Sequence, residues 1–275
     1  MKKSLILLAL PALLLSGCSK EISKEDAKKR AQEIVDHEVK SEDFKKVRIE
    51  VVEEKKLEGE VSGFENTKQV REYSTDDKWV HSYAVIDGKE GEQTIKREEE
   101  SWAYQEDGKY YTVDRVNNNG EEKKAYNVYQ ETDEMWAVEK ALFDTDFSLI
   151  QTLTFGDLTG KEALKELIKT INGETLDGLT FDLKYFSSGE GNLTIEGKTV
   201  DTKFELLGYK GEVTSTVKAG WDKYVMAENS ETSEGTLKNA DNKEVKFTGS
   251  TKTTYSYEVG VTKPDLSGYQ QGGLN

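Results

Sequence analysis

Cys18 is the only cysteine of the chain, and its thiol is the first candidate for covalent chemistry. It closes an apolar stretch, and the small side chains of Ser16 and Gly17 before it suit the narrow pocket of a signal peptidase. Two lysines precede the apolar residues 5–15, as in the positively charged start of an export signal. That stretch rises only about 16 Å as a helix, against about 30 Å of hydrocarbon in a bilayer, so it is too short to span one. The sequence therefore predicts a signal peptide over residues 1–17.

Residues 15–18, Leu-Ser-Gly-Cys, resemble the lipobox of bacterial lipoproteins, and the resemblance covers residues 1–18. It implies that the thiol of Cys18 is alkylated with diacylglycerol and that a signal peptidase cuts between Gly17 and Cys18. Two acyl chains are enough for stable anchoring. The resemblance therefore implies a protein anchored by lipid to the cell membrane and facing outside the cytoplasm. The alternative is an ordinary secretory signal that happens to contain a cysteine.

The composition excludes several classes of function. Without the two lysines of residues 1–17, the chain has 36 basic and 53 acidic residues and a net charge near −17. Phosphate backbones repel such an acidic protein, so we expect no nucleic acid partner. Lipidation of Cys18 leaves no thiol, which excludes disulfides, thiol nucleophiles and cysteine metal sites. His37 and His81 are the only imidazoles and lie on different types of element, so we expect no metal and no cofactor.

Four motifs resemble catalytic or ion-binding sequences, and each departs from the pattern that its chemistry needs. Residues 156–162 have three residues between the glycines of a P-loop, where four are needed. Ser215 and Lys218 have the spacing of penicillin-binding enzymes, but residues three apart in a strand point to opposite faces. Residues 144–155 lack the glycine and the glutamate that a calcium loop needs. Residues 98–100 are three glutamates in a predicted strand, where successive carboxylates point to alternate faces of the sheet. We expect no catalytic residue and no enzyme, with a carboxylate-dependent hydrolase as the least favoured alternative.

Aromatic residues remain as candidates for a ligand site. A cavity lined by aromatic side chains between helices and a sheet would admit a lipid or another apolar ligand. The alternative is that these side chains fill the ordinary core where helices cover a sheet. The candidate residues are Trp79, Tyr83, Trp102, Tyr104 and Trp136.

The periodicity of apolar residues predicts the elements that would position these side chains. After Ser23, apolar residues recur every three or four positions, which predicts a helix over residues 24–40. From residue 44 the period changes to two, which predicts a series of antiparallel strands. Residues 87–88 and 107–108, both Asp-Gly, predict hairpin turns between these strands.

The middle of the chain changes from a strand pattern to a helix pattern. Residues 117–120, Asn-Asn-Asn-Gly, predict a loop, and the pattern after Thr132 predicts a buried helix with a broad apolar face. Residues 159–162 predict a capping box that begins a second helix, and Gly173 predicts its end. A second series of alternating strands follows and ends before Pro264.

The sequence thus predicts an α+β, mostly antiparallel fold. We expect a curved sheet or incomplete barrel of two meanders, with an N-terminal helix and two mid-chain helices. Residues 18–23 are predicted to form a short lipidated tether, residues 24–264 a single β-rich domain and residues 265–275 a flexible tail.

This order of elements resembles the half-barrel fold of bacterial lipoprotein carriers of the Lol type and of related lipid-binding lipoproteins. The resemblance implies a hydrophobic cavity that binds acyl chains or lipidated partners. A tether over residues 18–23 would hold such a domain close to the bilayer, where it could exchange lipid. We therefore expect a non-enzymatic binder or carrier of a hydrophobic ligand. The alternative is an envelope protein that binds another protein or has a structural role, without a ligand cavity.

Overall fold

The computed structural model describes residues 19–272 except 60, 61, 91, 135, 177 and 190. Within this part of the chain, one open sheet contains thirteen strands. The first seven strands are β1 (Lys20–Glu21), β2 (Lys46–Gly59), β3 (Gly63–Ser74), β4 (Trp79–Glu90), β5 (Gln93–Glu106), β6 (Lys109–Asn118) and β7 (Glu121–Tyr129). The others are β8 (Asp182–Ser187), β9 (Leu193–Leu206), β10 (Tyr209–Asp222), β11 (Val225–Lys238), β12 (Glu244–Ser256) and β13 (Gln270–Gln271).

Strands that are consecutive in the chain are neighbours over most of the sheet. The order across it is β1-β8-β9-β10-β11-β12-β2-β3-β4-β5-β6-β7-β13. The pairing of β12 with β2 joins the two series of consecutive strands, and β13 pairs with β7 in the one parallel contact between these strands. The prediction of an open, mostly antiparallel α+β sheet is confirmed.

The sheet curls strongly at the end where β9 turns into β10. Phe204 in β9 stacks on Phe247 in β12, with ring centroids 5.0 Å apart. Three strand steps of a flat sheet would separate these strands by about 14 Å. Leu206 packs against the same buried cluster, which includes Leu57 and Val213. The sheet therefore rolls toward the face that carries these side chains, which we call the inner face.

Three helices lie at the other end of the inner face. They are α1 (Lys24–Asp36), α2 (Trp136–Thr159) and α3 (Lys161–Ile171). The side chain of Ser23 accepts a hydrogen bond from the amide of Asp26 and begins α1, which ends four residues earlier than predicted. No helix in the described ranges is long and apolar enough to cross a membrane. The cluster that joins α1 and α3 to the sheet consists of Ala27, Ala31, Ile34, Leu164, Ile171, Tyr185, Leu193, Ile195, Trp221 and Met226.

Gly160 separates α2 from α3, and the capping box predicted at residues 159–162 is wrong. The residue before α3 is Gly160, which has no side chain to cap a helix and adopts a left-handed φ of 56°. The side chain of Thr159 instead hydrogen-bonds to a carbonyl of its own helix. A Cβ atom on Gly160 would lie 2.4 Å from the sulfur of Met226. A glycine is therefore required both by the backbone conformation and by the packing.

The predicted hairpin turn at residues 87–88 is also wrong. Asp87 and Gly88 lie inside β4, where they pair with Lys96 and Ile95 of β5. Neither has the positive φ that a two-residue hairpin turn requires. The turn predicted at residues 107–108 is confirmed, because Asp107 and Gly108 have φ values of 48° and 74°.

Strand β7 and the length of α2 depart from the prediction for the middle of the chain. Within the predicted loop, Asn119 and Gly120 have φ values of 52° and 95° and turn β6 directly into β7. Helix α2 continues through the ambiguous residues 144–158. Its apolar face is only partly buried, because Val138 and Leu142 are 49% and 52% exposed.

The segment after β12, residues 257–272, crosses the opposite face of the sheet, which we call the outer face. Its apolar residues Val259, Val261, Leu266 and Tyr269 pack against a cluster of Trp79, Trp102, Tyr104 and Val113. The indole Nε1 of Trp79 donates a hydrogen bond of 2.7 Å to the carbonyl of Thr262. β13 then pairs with β7. The region predicted as a tail is thus hydrogen-bonded to the sheet as far as residue 272.

A row of paired charges crosses the outer face beside this aromatic cluster. The ring of His81 in β4 lies between two carboxylates, with Nδ1 2.8 Å from Glu72 and Nε2 3.1 Å from Glu100. Arg48 contacts Glu72, and Arg115 lies 3.2 Å from Glu100. Burial lowers the pKa of His81, but the hydrogen bonds and charges of the two glutamates outweigh it and raise this pKa. Since both ring nitrogens face carboxylates, the doubly protonated ring can donate one hydrogen bond to each of them.

We predict that Gly160→Ala lowers the free energy of unfolding by about 3 kcal/mol, because it adds both backbone strain and an overlap with Met226. Urea unfolding followed by tryptophan fluorescence measures this change. Gly156→Ala is the matched control, because a Cβ atom there would meet nothing within 4 Å. Equal effects of the two substitutions would show that Gly160 is not a packing constraint.

We predict that His81→Gln lowers the free energy of unfolding by about 3 kcal/mol at pH 6 and by less at pH 9. A raised pKa means that His81 contributes its full stability below its unfolded pKa, about 6.5, and loses it as the pH rises through the folded pKa. Urea titrations at the two pH values provide the measurement. His37→Gln removes an exposed ring stacked on Tyr224 and serves as control. A loss for His81→Gln that does not change with pH would contradict the ionic role.

Candidate ligand site

An apolar cleft of about 250 Å³ opens at the curled end of the sheet. Leu206 and Leu207 at the β9–β10 hairpin line one part of it, and Ile95 of β5 lines another. Leu57, which is buried, adds apolar surface, and Phe64 contributes its backbone, because the strand register places its side chain on the outer face. The remaining lining residues are Lys55, Lys56, Gly63, Glu65, Gly88 and Lys89.

The curl of the sheet produces this cleft. β9 and β5 are seven steps apart in the strand order, which would place them about 34 Å apart in a flat sheet. Their residues nevertheless line one space of about 250 Å³. The cleft is therefore a property of the rolled sheet and not of any one hairpin.

Two glycines leave room within the cleft. Gly63 of β3 pairs with Leu57, and Gly88 of β4 pairs with Ile95. The register of the strands places all four on the inner face. A Cβ atom on Gly88 would lie 3.3 Å from the carbonyl oxygen of Phe64, so even an alanine would be tight there. The glycines thus keep the backbone accessible between the leucine and isoleucine side chains.

Leu207 occupies its position at a cost in free energy. Its φ of 51° and the φ of 79° at Gly208 belong to a two-residue hairpin turn, where asparagine, aspartate or glycine is favoured. A leucine in this left-handed conformation costs about 1 kcal/mol, and its side chain is also 63% exposed. Ile95 in the same cleft is 50% exposed. Strain and apolar exposure together make Leu207 a candidate contact for a ligand.

The cleft lies far from the N-terminal end of the described chain. Lys20 in β1 pairs with Ser187 at the end of β8, next to the helices. β9 runs from Leu193, in the cluster with α1, to Leu206 at the cleft. Its 14 residues span roughly 45 Å. Residues 20–21 of the predicted tether are hydrogen-bonded in the sheet, so little free chain separates the domain from residue 18.

The five aromatic candidates do not line one common cavity. Trp79, Trp102 and Tyr104 are buried together on the outer face under the segment 257–272. Tyr83 lies on the same face, opposite Glu100 of the charged row. Trp136 packs on Tyr110, whose side chain projects from the inner face, because neighbouring residues of a strand alternate between faces. The prediction of a shared cavity is corrected in this respect.

The predicted processing site, Gly17 and Cys18, lies outside the described residues. Between residues 19 and 272, as far as they are described, no group of three or more His, Cys, Asp or Glu side chains is arranged to hold a metal ion. His81, Glu72 and Glu100 lie together, but both ring nitrogens of His81 hydrogen-bond to the two carboxylates. Arg48 and Arg115 form ion pairs with the same carboxylates.

Sequence reasoning missed the cleft because its walls come from distant strands. One local signal was available. A Leu-Gly pair joins β9 to β10 at a turn where Asn-Gly is favoured, so an apolar residue stands where turn chemistry asks for a polar one. Such violations of a local rule are expected at functional or strained positions.

Comparisons with known proteins do not identify a family. A scan against protein-family models finds no match, and a search of curated proteins finds none. A bacterial polysaccharide outer membrane secretin aligns over 77% of this chain and 98% of its own, with 7% identity and a TM-score of 0.29. A β-barrel-like protein from Brucella abortus aligns over 76% and 97%, with 9% identity and a TM-score of 0.22. At TM-scores this low, neither likeness carries an argument about this chain.

We predict that Leu207→Asn raises the free energy of unfolding by about 1 kcal/mol, because asparagine tolerates the left-handed conformation. Thermal unfolding followed by circular dichroism measures the change. Lys223→Asn, at a φ of 55° in the β10–β11 turn at the other end of the sheet, should give a similar gain. A loss of stability in Leu207→Asn would show that the leucine is held by packing and not strained.

Proposed function

We propose that this protein is a non-enzymatic, membrane-anchored envelope lipoprotein that binds a hydrophobic ligand in the cleft at the curled end of its sheet. The lipobox-like residues 15–18 support the anchor. The strained and exposed Leu207 in the apolar cleft is the observation that carries the binding role. Its left-handed conformation costs stability, and 63% of its surface stays exposed to water.

The size of the cleft limits what it can hold. At about 250 Å³ it lies just below the range of about 300–1,000 Å³ typical of small-molecule sites. It therefore takes an alkyl segment, a small ring system or one apolar side chain of a partner, and not a whole lipid. The groups that contact it would be Leu206, Leu207 and Ile95.

The position of the cleft favours presentation away from the bilayer. If Cys18 is lipidated, the acyl chains join the domain beside Lys20, at the helical end of the sheet. The cleft lies roughly 45 Å from that end along β9. This arrangement supports capture of a ligand from the surrounding envelope more than direct withdrawal of lipid from the anchoring membrane.

A protein-binding role is the second candidate, and an observation on α2 favours it. Val138 and Leu142 are four residues apart on one helical face, and both are about half exposed. An amphipathic partner segment could cover this face while leaving the cleft free. Ligand binding would therefore depend on the apolar cleft, and protein binding on the exposed face of α2.

We predict that the neutral fluorescent probe N-phenyl-1-naphthylamine binds the wild-type protein, and that Ile95→Ser or Leu207→Asn weakens binding about tenfold. The physical reason is the loss of apolar contact area, where about 1.4 kcal/mol corresponds to a factor of ten. A fluorescence titration provides the dissociation constants.

Two control variants separate the cleft from the rest of the surface. Val138→Ser removes a similarly exposed apolar residue from α2 and should leave probe binding unchanged. Lys223→Asn relieves strain at the distant turn and should also leave it unchanged. If Val138→Ser weakened binding while Ile95→Ser did not, the cleft assignment would be wrong and the α2 surface would be the binding site.

We predict that Cys18→Ala abolishes acyl labelling and leaves the chain uncleaved or released into the medium, because the alanine cannot accept diacylglycerol. Metabolic labelling with a clickable palmitate analogue, followed by mass spectrometry of the N-terminus, measures both effects. Ser19→Ala, one residue further, should be labelled and cleaved as the wild type is. Unchanged labelling in Cys18→Ala would contradict the proposed anchor.

A further inference from the structure

A second open groove, of about 370 Å³, lies along β3 to β6 and shares no lining residue with the apolar cleft. Its floor on the inner face consists of the small side chains of Ser82, Ala84 and Ser101. Small residues on neighbouring strands leave a hollow in a sheet face that longer side chains border. The other lining residues are Gln69, Val70, Arg71, Tyr83, Glu99, Glu100, Asp114, Arg115 and Val116.

Opposite charges stand at the two ends of this groove. The strand register places Arg71 of β3 opposite Ser82, Ser82 opposite Ser101, and Ser101 opposite Asp114 of β6. All four side chains therefore project from the inner face in one row. As far as the chain is described, the side chains of Arg71 and Asp114 have no ion pair or hydrogen bond.

The outer face of the same strands provides the contrast. There Arg48, Glu72, His81, Glu100 and Arg115 form a continuous row of ion pairs across five strands. In this row each charged side chain contacts at least one partner of opposite charge. Arg71 and Asp114 are instead kept apart by two serines, which leaves both charges available to a ligand.

The spacing of the two charges selects the length of the ligand. Three strand steps place the Cα atoms of Arg71 and Asp114 about 14 Å apart. An extended peptide of three or four residues spans about 10–14 Å between its terminal charges. A single amino acid is too short to reach both ends of the groove.

The serine floor offers a hydrogen bond to the middle of such a ligand. The hydroxyl oxygens of Ser82 and Ser101 lie 2.6 Å apart, so one donates to the other. Two hydroxyls carry two protons, and their mutual bond uses only one of them. The second proton can therefore be donated to a peptide carbonyl above the floor.

We propose that this groove binds short zwitterionic peptides, with the terminal carboxylate at Arg71 and the terminal ammonium at Asp114. The site is separate from the apolar cleft and independent of the function proposed above. A guanidinium recognises a carboxylate through paired hydrogen bonds, and the Asp114 carboxylate accepts from an ammonium. The backbone of the peptide lies over Ser82 and Ser101.

The test is calorimetric titration of the full chain with tetra-alanine, its C-terminal amide and its N-acetylated form. For the wild type we expect the free peptide to bind about tenfold more tightly than either blocked form, because each block removes one charge-assisted contact. In Arg71→Gln the free acid and the amide should bind equally. In Asp114→Asn the free amine and the acetylated form should bind equally.

Matched controls come from the outer face. Lys96→Gln and Asp87→Asn make the same charge changes on β5 and β4, where their register places both residues on the face away from the groove. Both variants should retain the wild-type preference for the free peptide. If either control lost it to the same degree as Arg71→Gln, or if the wild type bound all three peptides alike, the proposal would be overturned.

The ionisation of Asp114 gives a readout independent of affinity. Partial desolvation by the surrounding strands raises the pKa of the Asp114 carboxyl, although its side chain remains accessible to solvent. An ammonium bound against the carboxylate would lower that pKa again. An NMR titration of the side-chain carboxyl carbon should therefore show a lower pKa with tetra-alanine than with its N-acetylated form. Equal values would place the ammonium elsewhere and contradict the proposed orientation.

Discussion

The curl of the sheet is the constraint on which the rest of this structure depends. It is fixed by apolar contacts between strands that are distant in the sheet, of which the stacking of Phe204 on Phe247 is the clearest. These contacts bury aromatic and aliphatic surface that a flat sheet would leave in water. The same rolling brings the β9–β10 hairpin to β4 and β5 and so creates the apolar cleft. A looser sheet would lose the cleft before it lost its strand pairing.

The two faces of strands β3 to β6 satisfy their charges in different ways. On the outer face, His81 fits between Glu72, which lies directly across from it on β3, and Glu100, which lies diagonally across from it on β5. Burial raises the pKa of Glu72, but hydrogen bonds from His81 and Arg48 outweigh it and lower this pKa, which favours the ionised form of the Glu72 carboxyl. On the inner face, serines occupy the corresponding central positions. The outer row therefore joins five neighbouring strands through ion pairs, whereas Arg71 and Asp114 on the inner face are separated by the two serines.

Local patterns in the sequence predicted the local elements well. The N-terminal helix, the strands around Trp79 and Trp102, the turn at Asp107 and the mostly antiparallel class all follow from short-range periodicity and turn chemistry. The cleft could not be predicted, because its walls come from strands whose neighbours are set by long-range pairing. The Asp-Gly pair inside β4 misled for the same reason. Pairing with both neighbouring strands overrode the turn preference of those two residues.

The connection between β12 and β13 bears on how the chain reaches its native state during synthesis. The indole rings of Trp79 and Trp102 are covered by residues 259–269, which leave the ribosome more than 150 positions later. One edge of β2 also stays unpaired until β12, the last long strand to be synthesised, is available to pair with it. Nascent chains of intermediate length would therefore expose aromatic side chains and the unpaired backbone of an edge strand. Both features promote aggregation of incompletely folded chains, which chaperones counteract. Folding of this molecule is thus a late event, completed only when its C-terminus is available.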